Sequence, residues 1–476
     1  MIKSGFFRSI LVLIVLISAC AYPQHKSIKK LKAGIQEILK DSLFESTQLS
    51  LVVHNLSTKK DVFTLQPKLL LVPASNTKIL TTSTALYFLG KDFTYKTIIS
   101  TDGVLSGGLL KGNLFIKGGY DPDLREKDLE FIVDTLYAMG IREITGNVYA
   151  DISLSDTLTK GAGWTWDEDP SYYAPYITSF GIEKNSVAVT VLPNSVGESP
   201  SITYIPLKYK FEINNQAVTT DTGVTNIVIT RDIKNNTNEL SVQGVIRSDA
   251  PAVTDEINLV HPEHIALKVF TSFLELKGIQ YKESGFAKTP ITHTPLYVHS
   301  RPLLEVLTPL NKTSDNLSAE NTLRILGSIK RDTLLTADLG KIFVDSLISL
   351  SGWSPNNYRM LDGSGLSRYN LFSTGMLSNL LTFFYEKHPE IYTSLRSTFP
   401  IAGVDGTLKR RMIKTEAQGR VFAKTGTLSG VNALSGYIDT KSGDVFVFSM
   451  LLQNHINQNK RALELMNKIC EVIVAY

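Results

Sequence analysis

The chain is 476 residues long, 43% hydrophobic and 20% charged, a composition that supplies a large core and two or three domains. Its 49 Lys and Arg against 45 Asp and Glu leave a net charge of only +4, with the basic residues dispersed, which excludes a nucleic-acid groove. Eight scattered histidines, without metal-ligand spacing even in HPEH (His261 to His264), argue against a zinc hydrolase; no metal and no cofactor is expected.

Lys3 and Arg8 precede the apolar run ILVLIVLI, Ile10 to Ile17, and then Ser-Ala-Cys. This is the layout of a secretory signal peptide over residues 1–20, too short for a comfortable transmembrane helix. ISAC, Ile17 to Cys20, also resembles the bacterial lipobox, whose cysteine becomes the lipid-modified first residue of the mature protein. The expectation is an exported, periplasmic protein whose membrane contact is a lipid anchor at Cys20. With Cys20 acylated no disulfide framework is possible, and Cys470, in the apolar LMNKICEVIVAY, reads as a packed core thiol.

Beyond the leader, Ser27 to Leu43 reads as an amphipathic helix and LSLVVHNL with KKDVFTL as a strand pair. LLLVPA reads as a buried strand ending at Pro73, and ILTTSTALYFL as a buried helix. Between them lies Ser75-Asn-Thr-Lys78, whose spacing of three sets hydroxyl and amine on one helical face. The same spacing recurs at Ser27 and Ser57, but in lysine-rich runs that read as solvated charged faces. A lysine among apolar residues needs a reason, and activation of a serine nucleophile is one.

From Thr94 to His299 the texture changes to short alternating strands separated by Gly, Asn and Asp turns, with helices only near Lys127 to Met139 and Pro262 to Lys277. Helical rhythm resumes after Pro302 in DNLSAENTLRILGSI and DLGKIFVDSLISL. Strands RVFAKTGTL, ALSGYID and VFVFSMLLQ follow, the last two joined by a TKSGD turn, then a helix from about Gln458. Residues 27–93 and 300–476 are thus expected to form one unit, a helical cluster on an antiparallel sheet. Residues 94–299 form a β-rich insertion of two modules, the smaller nested at about 200–250.

Two further motifs bear on Ser75. Ser314-Asp-Asn316 begins a helix, where Ser or Asp also serves as an N-cap, and Lys424-Thr-Gly-Thr427 occurs once, on a strand. S-x-x-K, S-D-N and K-T-G in that order are the signature of penicillin-binding proteins and class A β-lactamases. The long interval between Ser75 and Ser314 exceeds what a compact β-lactamase needs. The chain resembles the D-alanyl-D-alanine carboxypeptidase/endopeptidase group of the penicillin-binding protein 4 type, which carries domains inserted between the first two motifs. GGYDPDL, WTWDEDPSYYAPY, NLSAENTLRILG, DGSGLSRYN and PIAGVDGTLKRRM extend the resemblance over nearly the whole mature chain.

The resemblance implies an α+β fold, a penicillin-binding/serine β-lactamase-like transpeptidase domain carrying the β-rich insertion. It implies peptidoglycan stem peptides ending in D-Ala-D-Ala as substrates and β-lactams as covalent inhibitors. Ser75 is then the nucleophile, and Lys78 its base if burial and a neighbouring cation, Lys424, keep it neutral. Lys424 with the hydroxyls of Thr425 and Thr427 holds the terminal carboxylate, and Gly426 leaves a strand edge bare for the substrate. The backbone amides of Ser75 and Thr427 form the oxyanion hole. By resemblance Ser314 relays a proton to the leaving amine, and Asn316 orients the substrate amide and fixes Lys78. An acid of Asp167 to Asp169, with Asp167 and Glu168 as candidates, receives the amino end of diaminopimelate. Asp362 and Asp405 read as turn-fixing residues, and Trp164 and Trp166 as core or interface. Two other functions fit the same scaffold, a β-lactam-hydrolysing enzyme and a non-catalytic wall-binding or sensor protein. The first requires a deacylating carboxylate on a loop that the sequence does not reveal.

Overall fold

The computed structural model describes residues 28–330 and 334–476. Cys20 and the leader lie outside them. Among the described residues no helix is long and apolar enough to cross a membrane.

Both ends of the chain build one five-stranded antiparallel sheet, in the order Val421–Leu428, Val431–Asp439, Val445–Gln453, Gln48–Asn55, Lys60–Leu65. Its central strands are buried on both faces, so they read as continuous apolar runs and the period of two sorts their side chains between two cores. Leu434, Ile438, Phe446, Phe448 and Met450 face the helix at 28–38 and the helix Asn459–Val474. Ala433, Tyr437, Val447 and Leu451 face a cluster of helices: Thr77–Phe88, Leu303–Lys312, Asn316–Ile325, Ala337–Leu350, Thr374–Lys387 and Pro389–Thr398. Val421–Leu428 is an edge strand; Pro400 and Ala402 bond its first residues, and past Ala423 it holds the position from which a sheet offers backbone to a ligand.

Strands Thr94–Thr101 and Thr294–Pro302 pair antiparallel from Thr94 opposite Pro302 to Thr101 opposite Thr294. The chain therefore leaves the helical cluster and returns to it at adjacent points, and everything between can be accommodated without disturbing the five-stranded sheet. A separate core, drawn entirely from residues between Ile99 and Ile279, packs helices Glu126–Ala138 and Pro262–Leu276 with the sheets of this segment. The strands from Ile213 to Arg247 make a small sheet of their own, centred on Leu240–Arg247.

Two local expectations are revised. The first helix stops at residue 38, and Asp41 caps a separate turn, Ser42–Glu45, accepting from the Leu43 amide at 3.1 Å. LLLVPA is no strand: only Leu71 makes a bridge, to Phe372, while Leu70 is 41% exposed. An apolar run signals burial, and burial of Leu71 against the helical cluster needs no ladder.

Candidate active site

Ser75 lies half-buried in a single tight turn, Ala74–Asn76, that runs into helix Thr77–Phe88. Ala74 holds φ at +45°, a left-handed conformation that side chains disfavour and that persists only where the surroundings over-determine it. Here they do. The Asn76 amide donates to Ser435 Oγ at 2.8 Å on the sheet, and Thr77 Oγ1 donates to the Ala74 carbonyl at 3.0 Å. Gly365, at φ +85°, passes so close that a Cβ there would sit 1.9 Å from the Ala74 carbonyl oxygen.

Lys78, one turn further and fully buried, donates to Ser75 Oγ at 3.1 Å, Asn316 Oδ1 at 2.5 Å and the Ser364 carbonyl at 2.7 Å. Burial drives its pKa down to about 8, although Asp362, Asp315 and Glu320 pull the other way. Lys424 is also fully buried and donates to Ser314 Oγ at 2.9 Å and to the Thr425 carbonyl at 2.7 Å. Its pKa lies well below the ordinary lysine value, through burial first and then the charge of Lys78. The expected coupling between the two lysines is present, but it registers on Lys424, while burial alone lowers Lys78. Each lysine thus touches one serine hydroxyl.

Asp315 is the N-cap of helix Asn316–Ile325, accepting from the Ser318 amide at 2.6 Å, so the capping role of SDN and the chemical placement of its neighbours coexist. The Asn316 amide donates to the carbonyl of Tyr173 at 2.6 Å. Ser75, Ser314, Asn316 and Thr427 line one cleft of about 560 Å³, together with Asp167, Glu168 and Arg368. A second arm of about 440 Å³ shares Ser314, Asn316, Tyr172 and Tyr173 and runs past Asp255 and Glu256. Thr425 is turned away to share a hydrogen bond with Thr407 at 2.7 Å. Gly426 packs inward: a Cβ there would stand 2.8 Å from the Pro73 carbonyl and 3.1 Å from the Ser75 amide nitrogen. Its smallness lets the strand lie directly on the nucleophile turn.

Of the three consecutive acids, Asp169 is committed elsewhere. It receives Lys160 at 2.6 Å, Asn258 at 2.5 Å and Arg231 at 3.3 Å; burial works against its ionisation, yet these partners hold its carboxyl below the usual range. Trp164 donates to Asp362 at 2.9 Å, whereas Trp166 is 85% exposed. Asp362 also accepts from Gly365, Ser367 and Asn370 of its own loop, and Asp405 from Ile401 and Lys312. The HPEH run brings the ligating atoms of His261, Glu263 and His264 within 4.8 Å, at the start of helix Pro262–Leu276 and off the lining of the cleft. Sequence reasoning missed Arg368, Tyr172, Tyr173 and Glu320. Glu320 accepts from the amides of Gly363 and Ser364 at 2.9 Å each and pairs with Arg324 at 3.0 Å, so it holds the loop whose carbonyl receives Lys78.

A serine on a strained helix start, a buried lysine on its hydroxyl, and a second serine in the same cleft with a buried lysine of the edge strand on its own hydroxyl define a serine acyl-transfer enzyme of the penicillin-recognising kind. The family profile of the D-Ala-D-Ala carboxypeptidase 3 (S13) family matches residues 31–474, and the chain belongs to that family. It is 30% identical over 445 residues to a D-alanyl-D-alanine carboxypeptidase of Actinomadura sp. (strain R39), covering 90% of this chain and 82% of that one. It is 25% identical over 422 residues to D-alanyl-D-alanine carboxypeptidase DacB of Haemophilus influenzae, covering 88% of each. The fold matches the crystal structure of penicillin binding protein 4 (dacB) from H. influenzae with a TM-score of 0.80 at 24% identity, over 91% of this chain and 97% of that one. The enzyme is a serine-type D-Ala-D-Ala carboxypeptidase on an α+β penicillin-binding scaffold.

Proposed function

We propose that Ser75 Oγ attacks the carbonyl of the penultimate D-alanine of a peptidoglycan stem peptide while uncharged Lys78 takes its proton. The oxyanion rests on the backbone amides of Ser75 and Thr427, where one donor is typically worth about 3 kcal/mol. Collapse breaks the C–N bond; the D-alanine amine leaves with the proton Lys78 had taken, relayed through Ser314, and neutral Lys78 then takes a proton from the water that hydrolyses the Ser75 ester and returns one to Ser75 Oγ. Lys424 and Thr427 hold the substrate's terminal carboxylate. That anion favours a charged Lys424, and a charged Lys424 in turn holds Lys78 neutral. Thr425, bonded to Thr407, braces the strand. Asp167, Glu168 and Arg368 in the lining of the cleft suit a zwitterionic amino-acid end, such as that of diaminopimelate.

The observation that carries this reading is the contact of Lys78 with both Ser75 and Asn316, opposite Lys424 on Ser314. It also favours a slow-turnover penicillin adduct over β-lactam hydrolysis. The buried carboxylates around Lys78 are all engaged: Glu320 with Gly363, Ser364 and Arg324, Asp362 with its loop, and Asp315 with Ser318 and Lys184. Buried and so engaged, these three are placed to hold the structure around Lys78 rather than to activate a deacylating water. The leader and Cys20 support export to the periplasm with a lipid anchor. Intact-mass spectra of wild type and Ser75→Ala, before and after penicillin, test both readings. The expected results are an adduct on wild type alone, lipid mass on Cys20 and release of D-alanine from muropeptides by wild type alone. An adduct on Ser75→Ala ends the nucleophile assignment, and a mature chain starting beyond Cys20 ends the anchor.

A further inference from the structure

Besides the Tyr173 carbonyl on Asn316, the insertion sends a lysine side chain to the catalytic motif. Glu183, Lys184 and Asn185 occupy the left-handed region in succession, with φ of 49°, 59° and 55°. Three adjacent non-glycine residues there are rare and persist only when their surroundings hold them. Glu183 accepts from the Glu126 amide at 2.9 Å and from Arg125 at 2.8 Å, closing the start of helix Glu126–Ala138. Asn185 donates to the Tyr176 carbonyl at 2.7 Å and accepts from the Leu259 amide at 2.9 Å. The turn so fixed aims Lys184 out of the insertion: its amine donates to Ser318 Oγ at 2.9 Å, pairs with Asp123 at 2.7 Å and reaches Asp315 at 3.3 Å.

Asp315 sits between Ser314 and Asn316, the two side chains that meet Lys424 and Lys78. We propose that Lys184 is a positioning residue of the acyl-transfer site: it pins Asp315 and balances that carboxylate's charge, so that the inserted domain sets the geometry and the protonation of the Ser75–Lys78 pair. The inference rests on Lys78 being the base. Lys78 is faced by Asp315 and Glu320 from helix Asn316–Ile325, by Asp362 from its loop and by Lys424 from the edge strand. Asp315 is faced by Lys184, which Asp123 also contacts, and Arg125 stands 3.7 Å from Asp123. Of these, Asp315 is the carboxylate that a residue of the insertion neutralises, so the charge of Lys184 offsets part of the field that favours protonated Lys78.

The test is the pH dependence of penicillin acylation in full-length Lys184→Gln, Lys184→Arg and Asp315→Asn. Gln keeps a donor for Ser318 and removes the charge; Asn keeps the N-cap and removes the carboxylate. Lys184→Gln should move the rising limb to higher pH by about half a unit to one unit, a loss of roughly three- to tenfold at pH 7 that vanishes well above the limb. Asp315→Asn should move it to lower pH, and Lys184→Arg should stay near wild type. Limbs unmoved in both charge variants, or moved in the same direction, overturn the proposal. So does an equal, pH-independent loss in Lys184→Gln and Lys184→Arg, which marks a plain scaffold contact. If Lys184→Gln does not fold, the Asp315→Asn limb decides alone. Normal acylation by Lys78→Met instead removes the base assignment on which the proposal stands.

Discussion

Burial is what suits Lys78 to the proposed role of base. An ordinary lysine at pH 7 is almost wholly charged and has no lone pair to accept a proton; with its pKa near 8, about a tenth is uncharged at that pH. The free-base fraction then rises about tenfold per unit below the pKa and saturates above it. Acylation of Ser75 should accordingly climb between pH 6 and 8 and flatten beyond, measured as the rate of labelled-penicillin incorporation. Lys78→Met, which keeps the volume and removes the amine, should abolish incorporation while thermal unfolding stays cooperative. A rate independent of pH across that range would mean another group accepts the proton. The grouping of Ser75, Lys78 and Lys424 was readable in the sequence because three motifs pointed to one chemistry. Glu320 and Arg368 were not, since a carboxylate inside an amphipathic helix and an arginine after a turn look like solvated charge until the fold shows one fully buried and the other on the wall of a cleft.

At the scale of elements, strands and helices were legible wherever period and turn chemistry agreed. The C-terminal strands Val421–Leu428, Val431–Asp439 and Val445–Gln453 are separated by short turns and follow the apolar runs closely. What stayed hidden was which apolar runs pair: LLLVPA and VFVFSMLLQ look alike in sequence, and only the second finds neighbours on both sides. Gly426 shows the same limit. Its absence of a side chain was readable as a bare strand surface, yet the neighbour it admits is the Pro73–Ser75 turn. In Gly426→Ala the new methyl would meet the Pro73 carbonyl at 2.8 Å, Ala433 Cβ at 3.0 Å and the Ser75 amide at 3.1 Å, two of the three being backbone. Overpacking of this kind costs roughly 1–3 kcal/mol. Because a shift of about 1 Å at a reacting atom costs on the order of a hundredfold, acylation should fall far more than stability. A melting temperature and a penicillin rate on the same variant separate the two; unchanged acylation would mean that the turn moves with the strand.

At the scale of the molecule, the catalytic sheet joins residues from opposite ends of the chain, with Gln48–Asn55 paired to Val445–Gln453, so it is complete only when the C-terminus is present. The insertion has no such dependence. Its core is drawn from residues between Ile99 and Ile279, its first and last strands pair with each other, and the Arg301 pairs to Asp121 and Asp128 close within it. A segment with its own core and adjacent ends meets the physical requirement for independent folding. The fragment 94–302 should therefore unfold cooperatively by itself, monitored by far-UV circular dichroism and urea, although it exposes Tyr95, Tyr120 and Ile177, which in the whole enzyme pack into the helical cluster. That exposure predicts a fragment less stable than the segment within the intact chain. The left-handed turn at Glu183–Asn185 should survive in it, because Glu126, Arg125, Asp123 and Leu259, which hold the turn and its lysine, all lie inside the fragment. A fragment without a cooperative transition would mean that the helical cluster supplies structure the internal core cannot, and the insertion would then be a lobe of the catalytic domain.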